Sequence, residues 1–270
     1  MEFEAKIETN GNLVKVPVSV NSQGPFAFTL DTGASTTTLS KKLAEQLNIK
    51  THKSDYPDAR GIGGGIPTEF ADVSISLGPL VFEKDEVYVL DLESIMRSVG
   101  NHDGVLGHTT LKHCTMSLSY NKKTIKLKKG SSSLNLDWSQ FKYIEDSHLV
   151  GVPVYINGKG PHTFVLDTGA GNSVITPELA ESLGIKAQQV PGIARGIGGD
   201  VQLQLAPIEN LSIGSAQIMN TQLVVLDLSR VSPRGKLIKN GIIGYDFLRN
   251  FESVIDYPQQ RLSFVDERNS

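Results

Sequence analysis

The feature that most limits how this chain can fold is a five-residue sequence that occurs twice. Leu30-Asp31-Thr32-Gly33-Ala34 is found again, letter for letter, at positions 166 to 170, which is 136 residues later. The match extends upstream, because 12 of the 19 positions from Val16 to Ala34 are identical to their counterparts at this offset. The chain is therefore a tandem repeat, and each copy carries one aspartate in the same local sequence.

Each copy of the repeat begins with an alternating apolar run and a turn that contains Gly-Pro. The apolar positions are Val14, Val16, Val18 and Val20 in the first copy, and Val150, Val152, Val154 and Ile156 in the second. A period of two is typical of a β-strand with one buried face. The pattern predicts a hairpin with a turn over residues 21–25 and a second strand from Phe26 to Leu30. Each aspartate should then stand where a buried strand ends.

Short helices and many strands make up the rest of each copy. Ser40 precedes Leu43 and Leu47, and Thr176 precedes Pro177 with Gly184 beyond, which are helix-capping patterns. Few other segments have helical periodicity, so the expected class is all-β rather than a doubly wound α/β fold, which needs a helix after nearly every strand. Small polar residues at Gly130 to Ser133 place the boundary between a first half, residues 1–133, and a second half, residues 134–270.

Composition excludes several classes of partner. A net charge of −3 and a pI near 6.1 give no electrostatic reason to expect nucleic acid. No apolar stretch approaches the roughly 18 residues of a membrane span. The lone cysteine, Cys114, rules out an intramolecular disulfide and aligns with Phe251, which favours a buried apolar role. The six histidines show no ligand spacing, so no metal or cofactor is expected and they are read as ordinary surface or core residues.

The segment at the start of the chain carries no visible export signal. Residues Met1 to Ala5 are acidic and lack an apolar core. A periplasmic or secreted location is expected if a signal was trimmed, and a cytoplasmic one otherwise.

Two glycine-rich segments recur downstream of each aspartate. The first is Arg60-Gly61-Ile62-Gly63-Gly64-Gly65, matched by Arg195 to Asp200, and the second is Gly104 to Gly107, matched by Gly241 to Gly244. Glycine permits positive φ and leaves no Cβ in the way of another chain. Close approach by another chain is expected at the first of these segments in each half.

This combination of motifs resembles the retropepsin-like and pepsin-like aspartic proteases. The resemblance covers nearly the whole chain, twice, and implies two pseudo-symmetric retropepsin-like β-barrel halves fused in one polypeptide, with the active site between them. It implies a monomer that acts as an intramolecular pseudo-dimer on a peptide or protein substrate. It also implies that the apolar segments ending at Gly107 and Gly244 pack beneath the active-site loops. His108 and Tyr245 stand where retroviral relatives have Arg, so the resemblance leaves open how each half braces its loop.

The resemblance implies a role for each residue of the motifs. Asp31 and Asp167 would be catalytic. Thr32 and Thr168 would bond across the contact between the halves, while Gly33, Ala34, Gly169 and Ala170 would support the carboxylates. Two flaps would fold over the substrate, formed by Gly61, Ile62, Gly63 and Gly64 and by Gly196, Ile197, Gly198 and Gly199. Neither flap carries an aromatic residue, which favours the retropepsin-like branch.

Two carboxylates are suited to hydrolysing a peptide bond. Held within about 3 Å of each other they cannot both ionise, so one can take a proton from water while the other protonates the carbonyl oxygen. The residue after each Asp-Thr-Gly is Ala34 or Ala170, which lacks the hydroxyl of pepsin-like enzymes, so a mildly acidic pH optimum is expected. Ser35 faces its counterpart Gly171, which predicts unequal preferences on the two sides of an apolar cleavage site.

Two other functions fit part of the pattern. A catalytically silent peptide-binding module could use the same cleft. A phosphotransferase of the actin-like or sugar-kinase kind also carries paired Asp-x-Gly loops, but neither glycine-rich loop here matches a nucleotide-binding motif. Asp91 and Asp227 are repeated too, although without a following glycine, and are expected to be hydrogen-bonded residues at strand ends.

Overall fold

The computed structural model describes residues 1–53, 59–61, 64–66, 68–95, 102–196, 199–229 and 238–267. Strands dominate these residues, and the helices are short. The elements of the first half are β1 (Glu2–Lys6), β2 (Glu8–Asn10), β3 (Leu13–Val20), β4 (Gln23–Leu30), β5 (Thr38–Ser40), α1 (Lys41–Gln46), β6 (Ala59–Gly61), β7 (Gly64–Ile66), β8 (Glu69–Leu77), β9 (Leu80–Leu90), α2 (Leu92–Ile95), β10 (Gly104–Leu106), α3 (His108–Leu111), β11 (Cys114–Ser119) and β12 (Thr124–Lys129).

The second half repeats most of this order. Its elements are β13 (Ser139–Gln140), β14 (Lys142–Tyr143), β15 (Val150–Ile156), β16 (Lys159–Leu166), β17 (Val174–Ile175), α4 (Pro177–Ser182), β18 (Gln188–Gly196), β19 (Gly199–Ile213), β20 (Ala216–Val225), β21 (Gly241–Ile243), α5 (Tyr245–Leu248), β22 (Phe251–Asp256) and β23 (Arg261–Asp266).

Six strands close into a barrel in each half. The first barrel runs β3-β4-β10-β5-β9-β8, and β8 pairs back with β3. The second runs β15-β16-β21-β17-β20-β19, and β19 pairs back with β15. The two orders correspond strand for strand, which confirms the all-β prediction of two similar halves.

The alternating runs fill the barrel interiors. Val14, Val16, Val18 and Val20 are at most 1% exposed, and so are the four counterparts on β15. Because successive side chains of a strand point to opposite faces, an apolar residue at every second position places one continuous face inside. The sequence prediction for these strands is confirmed.

The hairpin turn is tighter than predicted. Strand β4 begins at Gln23, which pairs with Val20, instead of at Phe26. Asn21 and Ser22 both have positive φ, at 48° and 64°, so two residues suffice to reverse the chain. Turns with positive φ at both central residues match the twist of the flanking strands. The Gly-Pro pair therefore lies within β4.

Both predicted helices are capped as the sequence indicated. The Leu43 N–H donates to the Ser40 hydroxyl at 3.1 Å, and the Leu179 N–H donates to the Thr176 hydroxyl at 3.4 Å. These hydroxyls satisfy amides that have no partner within the helix. Leu43 and Leu179 are buried, so each short helix is fixed to its barrel by one apolar face.

A third sheet joins the halves. Its order is β1-β12-β11-β22-β23-β13, so the terminal hairpin of the first half lies beside that of the second half. The joining pair is β11 and β22, in which Met116 lies opposite Ile255. Cys114 is buried at the start of β11, where burial raises the pKa of its thiol to about 12, as suits an apolar role. The division between residues 133 and 134 stays a prediction, and it falls between β12 and β13.

Across the part of the chain that the structure describes, none of the helices has the length and apolar character needed to cross a membrane.

Candidate active site

Two equivalent strands deliver the aspartates to the contact between the barrels. Strand β4 ends at Leu30 beside β10, and β16 ends at Leu166 beside β21, both in parallel pairs. The Asp31 N–H donates to the Leu106 carbonyl at 3.1 Å, and the Asp167 N–H donates to the Ile243 carbonyl at 3.0 Å. The main chain therefore fixes both aspartates in the same way.

The two threonines that follow the aspartates bind the loops to each other. The Thr32 hydroxyl donates to the Leu166 carbonyl at 2.8 Å, and the Thr168 hydroxyl donates to the Leu30 carbonyl at 3.0 Å. Each hydroxyl also accepts the backbone N–H of the other threonine at 3.1 Å. Both threonines are 1% exposed, so these four bonds lie out of water.

The glycines of the motif leave room for the opposite carboxylate. A Cβ on Gly33 would lie 2.8 Å from the Asp167 Cγ, and one on Gly169 would lie 2.6 Å from the Asp31 Cγ. Real Cβ atoms do not approach other atoms that closely, so only glycine fits while the loops hold this arrangement. The structure thus brings Asp31 and Asp167 together, and their side chains hydrogen-bond to each other.

Backbone amides also point at the carboxylates. The N–H groups of Gly33 and Ala34 both donate to the Asp31 Oδ1 at 2.9 Å, and the Gly169 N–H donates to the Asp167 Oδ1 at 2.7 Å. Donors of this kind favour the charged form of a carboxyl group.

Burial raises the pKa of both carboxyl groups above the ordinary 3.8. The pKa of Asp167 rises well above that value, because the charge of Asp31 adds to burial. For Asp31, the hydrogen bonds from Asp167, Gly33 and Ala34 oppose burial and hold the pKa lower. The two groups titrate as a pair, and the pair keeps a proton at a pH at which free carboxyl groups have lost theirs.

The second glycine-rich motif lies directly beneath the aspartate loops. A Cβ on Gly107 would lie 2.7 Å from the Thr36 carbonyl oxygen, and one on Gly244 would lie 2.6 Å from that of Asn172. The next residue in each half donates its N–H to the loop above at 2.9 Å, from His108 to Ala34 and from Tyr245 to Ala170. The backbone thus braces each loop at the positions where an arginine is missing.

Rings pack around these bracing residues from the opposite half. Tyr245 meets Tyr120 edge to face, with centroids 5.1 Å apart, and His108 meets Tyr257 at 6.0 Å. Burial lowers the pKa of His108 to about 4.

His148 is a site residue that sequence reasoning missed, because all six histidines were treated as ordinary. Its Nε2 lies 2.7 Å from the Gly33 carbonyl oxygen, so the ring contacts the loop that carries Asp31. The repeat offset does hold a signal, since it aligns His148 with another polar residue, Asn12, just ahead of the alternating strand.

The predicted flaps coincide with two hairpins. Gly61 pairs with Gly64 between β6 and β7, and Gly196 pairs with Gly199 between β18 and β19. Ile62, Gly63, Ile197 and Gly198 lie outside the described residues. The first hairpin is a sheet of its own, whereas the second continues the barrel sheet.

The other repeated carboxylates act locally. Asp91 accepts the Ser94 N–H at 3.1 Å, and Asp227 accepts the Ser229 N–H at 2.8 Å. Both are hydrogen-bonded residues just past a strand, as the sequence indicated. Among the described residues, no three His, Cys, Asp or Glu side chains are arranged to hold a metal ion.

The chain also matches a known protein family. A family model described as aspartyl protease matches the chain twice, over residues 16–110 and 152–247. The two matches contain Asp31 and Asp167 respectively, and together they cover well over half of the chain. A search of curated protein sequences finds no match.

Proposed function

This chain belongs to the aspartyl protease family, and we propose that it is an endopeptidase in which Asp31 and Asp167 activate a water molecule. The observation that carries the proposal is the pair of hydrogen-bonded carboxyl groups, both with a raised pKa, at the contact between two equivalent loops. A pair that shares one proton offers a base and an acid at the same place.

Asp31 is the better candidate for the charged member of the resting pair. It accepts two backbone N–H groups at its Oδ1, whereas the same oxygen of Asp167 accepts the Gly169 N–H, and the charge of Asp31 adds to burial in raising the pKa of Asp167. Asp31 would take a proton from water as the water oxygen bonds to the peptide carbon. Asp167 would give its proton to the carbonyl oxygen. Asp31 then gives its proton to the amide nitrogen and the C–N bond breaks. Asp167 takes a hydroxyl proton back from the carboxyl group that forms, so the pair again holds one proton.

The substrate we propose is an extended peptide held beneath the two glycine-rich hairpins. An extended peptide can hydrogen-bond to hairpin edges as an added strand. Ser35 and Gly171 occupy equivalent positions on the two loops, so the side-chain preferences on the two sides of the cleaved bond should differ.

One chain should be sufficient for activity. Both aspartates, the four threonine bonds and the β11–β22 pairing are supplied within a single polypeptide. Monomeric activity would appear as a specific activity that stays constant on dilution, whereas an intermolecular site would lose activity at low concentration.

The proposal is tested by Asp31→Asn and Asp167→Asn on a library of unstructured peptides. Each variant should lose several orders of magnitude in kcat, because removing one member of a cooperating pair disables the unit. Asp91→Asn is the matched control, since it changes a repeated carboxylate outside the pair and should keep wild-type turnover. Statine-type peptides should inhibit, and chelators should not.

Full activity in either dyad variant would reject the mechanism. A wild-type chain that binds the peptides without cutting them would instead support the silent peptide-binding alternative.

A further inference from the structure

His148 reaches across the contact between the halves to the loop of the other half. Its Nε2 lies 2.7 Å from the Gly33 carbonyl oxygen. A carbonyl oxygen can only accept, so Nε2 carries the hydrogen and the ring donates. The other end of the same peptide unit is the Ala34 N–H, which donates to the Asp31 Oδ1 at 2.9 Å. The imidazole therefore holds one end of the peptide unit that adjoins the charged oxygen.

The segment that carries His148 is itself held in place. The Ile144 N–H donates to the Leu149 carbonyl at 2.9 Å, which closes a loop around residues 145–148. Leu149 is buried at 5% exposure and anchors the end of that loop. The backbone that carries the ring is therefore fixed, so little conformational entropy is lost when His148 bonds to Gly33.

Asn12 occupies the position equivalent to His148 in the repeat. Its Nδ2 donates to the Gly171 carbonyl at 2.9 Å, so the first half also reaches across to the loop of the second half. The two contacts differ in two ways. The Asn12 contact falls four residues after Asp167 and is exposed, whereas the His148 contact falls two residues after Asp31. In addition, only His148 can carry a charge.

The charged and titratable groups that face His148 are Asp31 and His108. The His108 ring lies 5.9 Å away, and its Nε2 is 3.2 Å from the Tyr143 hydroxyl. Burial lowers the pKa of His148 below 6.5, while the Gly33 bond and the charge of Asp31 oppose that shift. The ring is therefore neutral at neutral pH. In acid the added proton goes to Nδ1, so the bond to Gly33 persists and a positive charge appears beside Asp31.

We infer that His148 is a positioning residue of the active site, which fixes the Asp31 loop through the Gly33 carbonyl and, once protonated, favours the charged state of the aspartate pair in acid. This inference rests on the proposed function. It also makes the two loops electrostatically unequal, because the equivalent contact from Asn12 is always neutral.

The test compares His148→Gln, His148→Ala and Asn12→Ala over a full pH range. Gln keeps an N–H donor without the charge, so kcat should stay close to the wild-type value. The acid limb of the pH profile of kcat should move upward by roughly half a pH unit. Ala removes donor and charge, so kcat should fall about tenfold, the loss of one hydrogen bond, with KM little changed and the acid limb moved as in Gln. Asn12→Ala should leave the acid limb in place.

A second measurement does not need turnover. The NMR titration of the His148 ring, assigned by its loss in His148→Gln, should shift to lower pH in Asp31→Asn because a neighbouring negative charge is removed. If the acid limb and this titration both stay in place, the inference is wrong even in an active enzyme. If the titration shifts but the wild-type chain cuts no peptide, the contact stands and the proposed protease function fails.

Discussion

The two aspartate loops are held by equivalent backbone hydrogen bonds and by different supporting side chains. In both, an aspartate N–H donates to the apolar strand beneath, and the residue after Gly107 or Gly244 donates back to the loop. Beneath the first loop, the Thr37 hydroxyl accepts the Gly107 N–H and contacts the Thr110 hydroxyl, which donates to Asp85. The backbone hydrogen bonds of the two loops are thus equivalent, but the side chains that bond beneath the loops differ.

The second loop reaches a carboxylate directly. The Ser173 hydroxyl accepts the Gly244 N–H at 3.0 Å and donates to the Asp246 Oδ1 at 2.6 Å. The Ser173 N–H donates to the same oxygen at 2.8 Å. Both arrangements give the buried N–H of Gly107 or Gly244 a partner. A buried donor needs an acceptor at the right position, whichever residue type supplies it. The positions of the backbone amides around the two carboxyl groups are more demanding, since the proposed chemistry depends on them.

The largest effect on stability is expected where the halves are alike, at the threonines. Thr32→Val and Thr168→Val each remove a hydroxyl that makes two buried bonds across the contact, leaving a carbonyl and an N–H unpaired. Each should lower the free energy of unfolding by about 2–5 kcal/mol, measured by urea denaturation. The two losses should be equal within error, and the double variant should lose less than their sum because the bonds form one network.

Thr32→Ser and Thr168→Ser are the controls, since they keep the hydroxyl and should cost much less. Markedly unequal losses for the two valine variants would show that the loops are not equivalent at this level.

The loop supports should give a smaller and unequal effect. Asp246→Ala removes an acceptor of bonds from the Ser173 N–H, the Ser173 hydroxyl and the Phe247 N–H, so it should cost about 2–3 kcal/mol in unfolding free energy. Asp85→Ala removes an acceptor for the Thr110 hydroxyl and should cost about 1 kcal/mol. Asp246→Asn keeps an oxygen at Oδ1 and should be tolerated better than Ala. Equal costs for the two alanine variants would contradict this account of the difference.

Local patterns were enough to predict the repeated strands and the capped helices. Each of these features depends on residues within one short segment, or on a repeat that places two such segments in the same context. The approach of Asp31 and Asp167, which are 136 residues apart, was implied by the family resemblance and not by a local pattern. The hairpin turn was misplaced because Gly24 and Pro25 are stronger turn signals than Asn21 and Ser22, although only the latter pair reverses the chain.

Contacts between distant segments were not predictable in this way. His148 and Gly33 are 115 residues apart, and Ser173 and Asp246 are 73 apart. Neither pair has a local sequence signature, because a side-chain hydrogen bond constrains only the final position of two atoms. The pairing of β11 with β22 is of the same kind, since the sequence predicts each hairpin but not its neighbour.

The smallest effect concerns His108, which stands where the second half has Tyr245. Burial lowers the pKa of His108 from 6.5 to about 4, so the unfolded chain takes up this proton first as the pH falls. Stability is therefore lost between pH 6.5 and about 4, by about 1 kcal/mol once the partial exposure of the ring is allowed for. His108→Tyr makes the two halves alike at this position and should flatten the dependence of Tm on pH in that window. His113→Gln is the control, because it changes a more exposed ring and should leave most of the dependence of Tm on pH in place. If Tm depends on pH as steeply in His108→Tyr as in the wild type, other groups cause the acid sensitivity.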